Sequence, residues 1–445
     1  MDLINLIPSF GNLLFTVIAF VVALSVIVAV HEYGHYIVGR WCGIKAEVFS
    51  IGFGPVLMSR MDRHGTQWQL AALPFGGYVR FLGDAGAASD KDEAAMAEMD
   101  ADTLRHTMHG APLWARACTV AAGPVFNFIL SILVFGGVIF ATGVARDPLT
   151  VGDLRAVPGI EQTLMTGDVI LAIDGNDAPP VEEFSDFVAT LPNAATLDYT
   201  LDRGGDEVVV AAPYPFPALV SSLTPGSAAM DAGIEIGDVI TAIDGTPITS
   251  FEELRAATGG SEGQAMTFTI WRDGEILEKT LEPRRMDLPL ADGSFETRWL
   301  IGITGGLIFE PQTATPGIGE TFSYGVNQTW FIVKTSLSGL YNMTIGAIDK
   351  CNLRGVIGIA ETSGAAAQQG LQSFIWFIAV LSTAVGLLNL FPIPVLDGGH
   401  LVFHAYEAAT GKPPSDGALR VLMTIGLTLL LALMAFALSN DILCP

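Results

Sequence analysis

The stretch AVHEYGHYIV, residues 29–38, ends an apolar run that begins near Leu13, and it decides how the rest of the chain is interpreted. That run carries no charge until His31, Glu32 and His35 follow one another closely. An ionisable side chain at the depth of a bilayer costs at least roughly 2.5–3.5 kcal/mol, so its presence there calls for a reason. These three residues are therefore the first candidates for a functional site.

The spacing of the two histidines is that of a metal site on a helix. Positions i and i+4 lie on one helix face, so both imidazoles can reach one ion while Glu32 lies beside them. In this His-Glu-x-x-His signature, zinc lowers the pKa of the water it binds to about 7, and the glutamate takes the proton. The alternative is a pair of core histidines satisfied by hydrogen bonds.

A catalytic zinc ion usually has three protein ligands, so a third ligand is expected elsewhere. One class of zinc protease would need Gly at position 38 and His at position 41, where this chain has Val38 and Trp41. Glu47 is a candidate, although its surroundings predict a strand. Asp397 and His400 are further candidates, and Asp397 is favoured because it is anionic and follows an uncharged apolar run.

Asp397 lies in NLFPIPVLDGGH, residues 389–400, which closes the third apolar segment of the chain. Pro392 and Pro394 break helix geometry, and the Gly398–Gly399 pair permits a tight turn. Irregular backbone at membrane depth is tolerated where it lines a cavity or is buried in protein. The segment is therefore predicted to be a broken helix that brings one carboxylate to a buried site.

The composition indicates an integral membrane protein with soluble parts. Of 445 residues, 50% are hydrophobic and 15% are charged, and the mean hydropathy is +0.48. The net charge of −24 argues against a nucleic-acid partner, because phosphate backbones are bound by clustered Lys and Arg. Four scattered cysteines form no C-x-x-C pair, and all are expected to be packing residues: Cys42, Cys118, Cys351 and Cys444.

Four segments are long enough to span a bilayer, which takes about 20 apolar residues. The first is expected to be a retained helix, because no Lys or Arg precedes it and its apolar stretch is too long for a signal peptide. Short-loop Lys and Arg follow the first segment and separate the last two, so both termini are predicted outside the cytoplasm and His31 toward it. The segments are about 13–38, 118–144, 374–396 and 421–438.

A repeat occupies the segment that this topology places outside the cytoplasm. GDVILAIDG at 167–175 recurs as GDVITAIDG at 237–245, identical at eight of nine positions and offset by 70 residues. This period indicates a tandem pair of small domains rather than a solenoid. The pattern resembles PDZ domains of bacterial proteases, which bind an extended peptide at a sheet edge. Spacer domains without a ligand are the alternative.

Taken together, the motifs resemble the site-2 protease family of intramembrane zinc metalloproteases. His-Glu-x-x-His in the first helix and Asn-x-x-Pro-x-Pro-x-Leu-Asp-Gly-Gly in a later one occur in the family's order. Two PDZ-like copies between them resemble the bacterial regulator of sigma-E protease type. The resemblance implies one zinc ion per chain held by His31, His35 and Asp397, with Glu32 as the general base.

The resemblance also implies residues that position the substrate. Asn389 is expected to hold the substrate backbone or the oxyanion, with a structural cap as the alternative. Asn127 belongs to GPVFN, residues 123–127, for which simple helix packing is an equal alternative. The remaining candidates lie in a membrane-associated β loop at about 46–83 and in the broken helix: Gly76, Gly77, Tyr78, Pro392 and Pro394.

The predicted fold is an α-helical integral membrane protein with four transmembrane helices, a membrane-associated β loop and two inserted α+β PDZ-like domains. A protease core in two parts flanks the insert, and an amphipathic helix is expected at 320–341. In the same region Val356 stands where the family has proline. The predicted ranges are 1–146 and 374–445 for the core, 147–214 and 215–285 for the PDZ-like domains, and 286–373 for the connector.

The predicted function is zinc-dependent cleavage within the transmembrane segment of a single-pass protein, such as an anti-sigma factor already trimmed outside. The predicted location is a bacterial inner membrane, with the zinc site toward the cytoplasm and the PDZ-like domains in the periplasm. The other expected partners are the lipid bilayer and a peptide ligand of the PDZ-like domains. The alternatives are a membrane-anchored metalloprotease acting on soluble or juxtamembrane segments, and a non-catalytic PDZ scaffold.

Overall fold

The computed structural model describes residues 6–86, 92–290 and 294–444. The described chain forms two compact units, one reaching to Val138 and resuming at Gly319, the other comprising Ile139–Ile318. The helices are α1 Leu6–Trp41, α2 Glu93–Ala97, α3 Ala101–Arg105, α4 Leu113–Thr142, α5 Phe184–Val188, α6 Ala228–Asp231, α7 Phe251–Gly259, α8 Ile318–Thr344, α9 Val356–Gln368, α10 Leu371–Asn389, α11 Asp397–Thr410 and α12 Asp416–Leu443.

Four helices in the described part of the chain are long and apolar enough to cross a membrane. They belong to α1, α4, α10 and α12. Together with the strands below, they make this a membrane protein with a β-rich region. The spans are Leu13–Trp41, Leu113–Thr142, Leu371–Asn389 and Gly417–Leu443.

The third span is shorter than the predicted range of 374–396. Helix α10 ends at Asn389, and α11 begins only at Asp397. Pro392 and Pro394 explain the interruption, since proline lacks the amide hydrogen of a helix and clashes with the preceding turn. The predicted break is therefore present, and the span ends before it.

The predicted tight turn at Gly398–Gly399 is wrong. Both glycines are buried in the first turn of α11, where neither has a positive φ. A Cβ on Gly398 would lie 2.4 Å from the Leu390 carbonyl oxygen, and one on Gly399 would lie 2.3 Å from that of Ile393. The pair is needed because the broken segment folds back tightly onto the start of α11.

A long antiparallel hairpin follows α1. It consists of β1 Ala46–Met61 and β2 Gln67–Phe81, within the predicted loop at 46–83. The end near α1 is packed, with Phe49 and Phe81 in one hydrophobic core with Tyr36. The far end of the hairpin exposes apolar side chains, including Val56, Leu57, Met58 and Leu73.

The second unit contains two four-stranded sheets of equivalent strand order, β6-β5-β7-β8 and β11-β10-β12-β13. Turns at residues 203–205 and 272–274 join the last two strands of each sheet. The strands are β3 Val144–Ala145, β4 Val151–Leu154, β5 Val169–Ile173, β6 Asn176–Asp177, β7 Thr196–Arg203, β8 Asp206–Pro213, β9 Val220–Leu223, β10 Val239–Ile243, β11 Thr246–Pro247, β12 Met266–Arg272, β13 Glu275–Leu281, β14 Arg284–Pro289, β15 Phe295–Leu300, β16 Ile303–Gly305, β17 Phe309–Pro311 and β18 Thr313–Ala314.

Each copy of the repeat has its own core and the same buried ion pair. The side chain of Asp168 is 1% exposed and pairs with Arg203 at 2.8 Å. Asp238, 70 residues later, pairs with Arg272 at 2.7 Å. The hydrogen bond from Arg203 holds the pKa of the Asp168 carboxyl below its usual value. This pair ties the start of one strand to the end of its neighbour in both copies.

The helices of the two copies differ in length for a local reason. Helix α7 has nine residues, and α5 has five. Ser250 and Glu253 form a capping box that satisfies amide groups at the start of α7. No side chain caps α5. Acidic residues lie in the first turn of both helices, but of the two only α7 has a capping box.

A disulfide joins Cys351 to Cys444, with their Cα atoms 5.7 Å apart. The prediction that all four cysteines are packing residues is therefore wrong for this pair. Cys42 and Cys118 are free thiols. The sequence separation of 93 residues hides the pair, because only the fold brings the end of α12 beside the segment that precedes α9.

Polar side chains at the end of α12 reinforce this connection. The Asp441 carboxylate accepts hydrogen bonds from the backbone N–H groups of Gly355 (2.7 Å) and Ile357 (3.0 Å) and so caps α9. Asn440 donates to the Lys350 carbonyl at 2.8 Å. Val356 is the first residue of α9, a position where proline is favoured because its amide hydrogen has no helical partner.

We expect loss of this disulfide to destabilise the protein. Replacing both Cys351 and Cys444 with serine should lower the free energy of unfolding by ~2–4 kcal/mol, because the closed loop no longer restricts the unfolded chain. The measurement is the thermal unfolding midpoint in detergent, with the Cys42→Ser, Cys118→Ser double variant as the control. An unchanged midpoint in the first variant would show that the bond does not contribute to stability.

Candidate active site

Helices α1 and α4 approach closely where α1 carries the histidine motif. A Cβ on Gly34 would lie 2.5 Å from the Ala122 carbonyl oxygen. A Cβ on Gly123 would lie 2.3 Å from Nε2 of His35 and 2.8 Å from Cε1 of His31. Glycine at both positions therefore lets the helices meet and leaves room for the two imidazole rings.

Three side chains from α1 and α11 converge at this contact. Nε2 of His31 lies 3.1 Å from Oδ2 of Asp397, and Nε2 of His35 lies 3.5 Å from the same oxygen. The two Nε2 atoms are 3.2 Å apart. Two motifs more than 360 residues apart in sequence thus present three potential ligand atoms to one point.

The triangle formed by these atoms fits a zinc ion. Ligand atoms that surround zinc tetrahedrally at about 2.0–2.1 Å lie roughly 3.4 Å from one another. The three separations between Nε2 of His31, Nε2 of His35 and Oδ2 of Asp397, 3.1–3.5 Å, match this ligand-to-ligand distance. Oδ2 of Asp397 is buried and lacks a hydrogen-bond partner, as expected of an oxygen positioned for a metal. The three side chains are mostly buried, with 12–18% of each exposed.

The rings of the two histidines are held by different partners on α4. Nδ1 of His35 donates a hydrogen bond to the Thr119 carbonyl oxygen at 2.8 Å. That bond leaves Nε2 of His35 unprotonated and able to bind a metal ion. Nδ1 of His31 faces the side-chain amide of Asn127 at 3.2 Å.

Glu32, beside His31 on α1, lies next to strand β2. A Cβ on Gly77 would lie 3.3 Å from Cγ of Glu32 and 2.7 Å from the Ser50 carbonyl oxygen. Glycine at this position therefore lets β2 pass directly beside the Glu32 side chain. The Glu32 side chain therefore borders an extended segment of backbone, and it follows the potential ligand His31 directly in sequence.

The neighbouring hairpin residues stabilise the shape of β2. Gly76 has a φ of +145°, and a Cβ there would lie 2.4 Å from the Phe53 ring. Tyr78 stacks on Phe53 with ring centroids 5.9 Å apart. Its hydroxyl accepts a hydrogen bond from Gln69 at 3.1 Å. These contacts place all three predicted positioning residues, including Gly77, on the strand that passes Glu32.

The remaining predicted residues lie along the broken helix. The Asn389 side chain donates to the Val385 carbonyl at 3.0 Å, within its own helix. Pro394 packs against α12, where a Cβ on Gly426 would lie 2.9 Å from its Cδ atom. Pro392 is exposed. The described contacts of these residues are structural, and their contribution to substrate positioning stays a prediction.

Two rival ligands lie outside the triangle. Glu47 forms an ion pair with Arg80 at 3.2 Å, on the hairpin. His400 lies one turn into α11, with its ring 6.0 Å from that of Phe403. Among the described residues, His31, His35 and Asp397 form the group of potential ligand atoms that lie within 4.8 Å of one another. The geometry therefore favours Asp397 as the third ligand.

Sequence reasoning missed three contributors to the site. Thr119 acts through its backbone carbonyl, which no side-chain pattern reveals. Gly123 lies within the GPVFN motif, yet its role in accommodating the imidazoles appears only in three dimensions. Arg116 and Glu407 form an ion pair at 2.6 Å that joins α4, which orients the histidine rings, to α11, which carries Asp397.

Three potential metal ligands that converge beside a glutamate of a membrane helix are the arrangement expected of a membrane metalloprotease. The chain belongs to peptidase family M50, whose family model matches residues 19–433. It is a zinc metalloprotease.

Curated relatives match over nearly the full chain. A protein of Agrobacterium fabrum, provisionally named a zinc metalloprotease, is 36% identical over 430 residues, covering 96% of this chain and 95% of that protein. A protein of the same provisional name from Rhizobium meliloti is 35% identical, covering 97% of both chains. The regulator of sigma-E protease of Salmonella typhimurium is 32% identical over 460 residues, covering 97% of this chain and 99% of that protein.

Proposed function

We propose that this zinc metalloprotease cleaves the transmembrane segment of a single-pass membrane protein, such as an anti-sigma factor already trimmed outside the membrane. The observation that supports the proposal is that His31 and His35, on the first membrane span, converge with Asp397, which begins α11 shortly after the third span ends. A ligand set at this depth is expected of an enzyme whose scissile bond also lies within the bilayer. The name of the Salmonella relative is consistent with a role in sigma-E regulation.

In the proposed mechanism, His31, His35 and Asp397 would hold the ion, and the ion would supply Lewis acidity toward a peptide carbonyl and water. Glu32 is the general base that takes the proton of the attacking water and passes it to the leaving amine. The Thr119 carbonyl keeps the His35 ring oriented throughout. Asn389 is the proposed partner of the substrate backbone or of the developing oxyanion.

The hairpin beside Glu32 suggests how a helical substrate becomes cleavable. A helix protects its peptide bonds, because each carbonyl already accepts a hydrogen bond and is surrounded by side chains. Strand β2 passes within contact of Glu32 at Gly77. An unwound substrate segment that adds to this hairpin as a further strand would present an extended backbone to the general base. The exposed apolar tip of the hairpin suits contact with the bilayer.

We place the two repeat domains, 147–214 and 215–285, in the periplasm as PDZ-like domains. There they would exclude substrates with bulky outer domains or bind a peptide end. The Cys351–Cys444 disulfide supports this orientation, since both cysteines fall on the side assigned to the oxidising periplasm. The distribution of Lys and Arg supports an orientation in which the zinc site lies toward the cytoplasmic face of a bacterial inner membrane.

The proposal is tested by cleavage of a model single-pass substrate in vesicles with the purified full-length protein. We expect a cut within the apolar span, located by the masses of the two products. The Glu32→Gln variant should lose about 10²–10⁴-fold in rate while it retains zinc, because only the general base is removed. A cut confined to juxtamembrane residues would favour the membrane-anchored protease, and zinc-independent binding without cleavage would favour the scaffold.

A further inference from the structure

The side chain of Asn127 is held firmly beside His31. Asn127 is fully buried in α4, and its backbone carbonyl accepts hydrogen bonds from Ser131 (3.0 Å) and Ser382 (2.9 Å). A Cβ on Gly386 of α10 would lie 3.1 Å from Cβ of Asn127. The backbone of Asn127 is therefore fixed by its own helix and by α10, and its side-chain amide is held beside the His31 ring.

The amide of Asn127 has an unsatisfied oxygen. Its Nδ2 faces Nδ1 of His31 at 3.2 Å, whereas its Oδ1 is buried and has no hydrogen-bond partner. A buried polar atom without a partner costs roughly 1–3 kcal/mol. In this orientation the acceptor capacity of Oδ1 is unused, and among the described residues the only polar group that the amide contacts through its side chain is the His31 ring.

The proposed metal site determines which arrangement this is. Nε2 of His31 faces Asp397 and His35, so Nε2 is the nitrogen that would bind zinc. A neutral imidazole that binds metal through Nε2 carries its hydrogen on Nδ1, and that nitrogen is then a donor. Two donors would face each other at 3.2 Å if Nδ2 of Asn127 remained in place. A half-turn of the Asn127 amide exchanges Oδ1 and Nδ2, which are similar in size, and brings Oδ1 to the Nδ1–H group of His31.

We propose that Asn127 is a positioning residue whose side-chain carbonyl accepts the Nδ1–H of His31 and thereby keeps Nε2 free for zinc. This inference rests on the proposed zinc site. It gives His31 the same support that the Thr119 carbonyl gives His35. It also assigns Asn127 to the metal site, whereas sequence resemblance suggested a substrate-positioning role.

The two histidines differ in one respect that makes the inference testable. His35 is oriented by a backbone carbonyl, which substitution does not remove, whereas His31 depends on a side chain. Asn127→Leu keeps approximately the same volume and removes the acceptor. Asn127→Asp keeps an acceptor in the same place and adds a charge that the zinc ion offsets. Carboxylates are common partners of metal-binding histidines.

The experiment measures zinc affinity of the full-length protein in detergent by competition with a chromogenic chelator at neutral pH. We expect Asn127→Leu to bind zinc about 10–100-fold more weakly than the wild type, as is typical when an outer partner of a ligand is removed. Asn127→Asp should bind at least as tightly as the wild type. Ser131→Ala is the matched control, because it removes a hydroxyl bonded to the Asn127 backbone and leaves the amide unchanged.

The outcomes separate this inference from the proposed function. Wild-type affinity in Asn127→Leu, or equal weakening in Ser131→Ala, would overturn the inference and leave the zinc site intact. If Asn127→Leu does not fold, as judged by the thermal unfolding of the zinc-free protein, Asn127→Asp is decisive, and weaker binding there would overturn the inference. A wild-type protein that binds no zinc would overturn both proposals.

Discussion

Replacing Gly123 with alanine is expected to remove zinc binding and proteolysis together. The added Cβ would lie 2.3 Å from Nε2 of His35 and 2.5 Å from its Cε1 atom. Either the ring moves off the ligand triangle, or α4 moves away from α1. Removing a residue that only hydrogen-bonds to a metal ligand typically lowers metal affinity 10–100-fold. Displacing a ligand itself should therefore lower zinc affinity by about 100-fold or more. The measurements are bound zinc per chain and the rate of substrate cleavage.

Helix α4 provides its own control for this experiment. Gly137 lies on the same helix, and a Cβ there would meet nothing within 4 Å. Gly137→Ala should therefore bind zinc and cleave substrate as the wild type does, with a small gain in helix propensity. Equal zinc content in the two variants would mean that the imidazoles do not lie over Gly123 in the active enzyme.

Loss of bound zinc in Asp397→Asn is the second large effect that we expect. The substitution keeps the shape of the side chain and removes the anionic oxygen that lies 3.1 Å and 3.5 Å from the two histidine nitrogens. Only the two neutral imidazoles would then remain as strong ligands. Zinc affinity should fall by at least about 100-fold, since even the loss of a residue that hydrogen-bonds to a metal ligand lowers it 10–100-fold. Zinc is measured by elemental analysis of the purified protein after dialysis.

Glu47→Gln is the matched comparison, because Glu47 is the rival carboxylate close to the histidine motif in sequence. Its carboxylate pairs with Arg80, so the variant should retain a full complement of zinc. The opposite pattern, with zinc kept in Asp397→Asn and lost in Glu47→Gln, would move the third ligand to the hairpin. The case for cleavage within the membrane would then lose its main support.

The potential ligands and the glutamate could be predicted because ionisable side chains carry a large free-energy cost within a membrane. His31, Glu32 and Asp397 interrupt apolar segments, and a charge at that depth is a signal that any reader of the sequence can detect. The four spans are equally visible, since bilayer thickness sets their length. The tandem copies are revealed by nearly identical GDVIxAIDG segments.

The parts that escaped prediction depend on close approach rather than on composition. The Cys351–Cys444 pair is separated by 93 residues, and no local pattern indicates that the end of α12 returns to α9. Gly398 and Gly399 resemble turn residues, yet they serve packing inside a helix, because the backbone of 390–396 presses against them. The use of Asn127 required the distances to His31 and the unsatisfied Oδ1 atom.

Because the proposed ligands come from two distant segments, the site is completed late in the synthesis of the chain. Asp397 is translated 362 residues after His35, which takes on the order of 20–70 seconds at typical synthesis rates. Throughout that time the first helix can already be in the bilayer with an incomplete site. During that time the proposed ligand set lacks Asp397, so we expect proteolytic competence to begin only when α11 reaches α1.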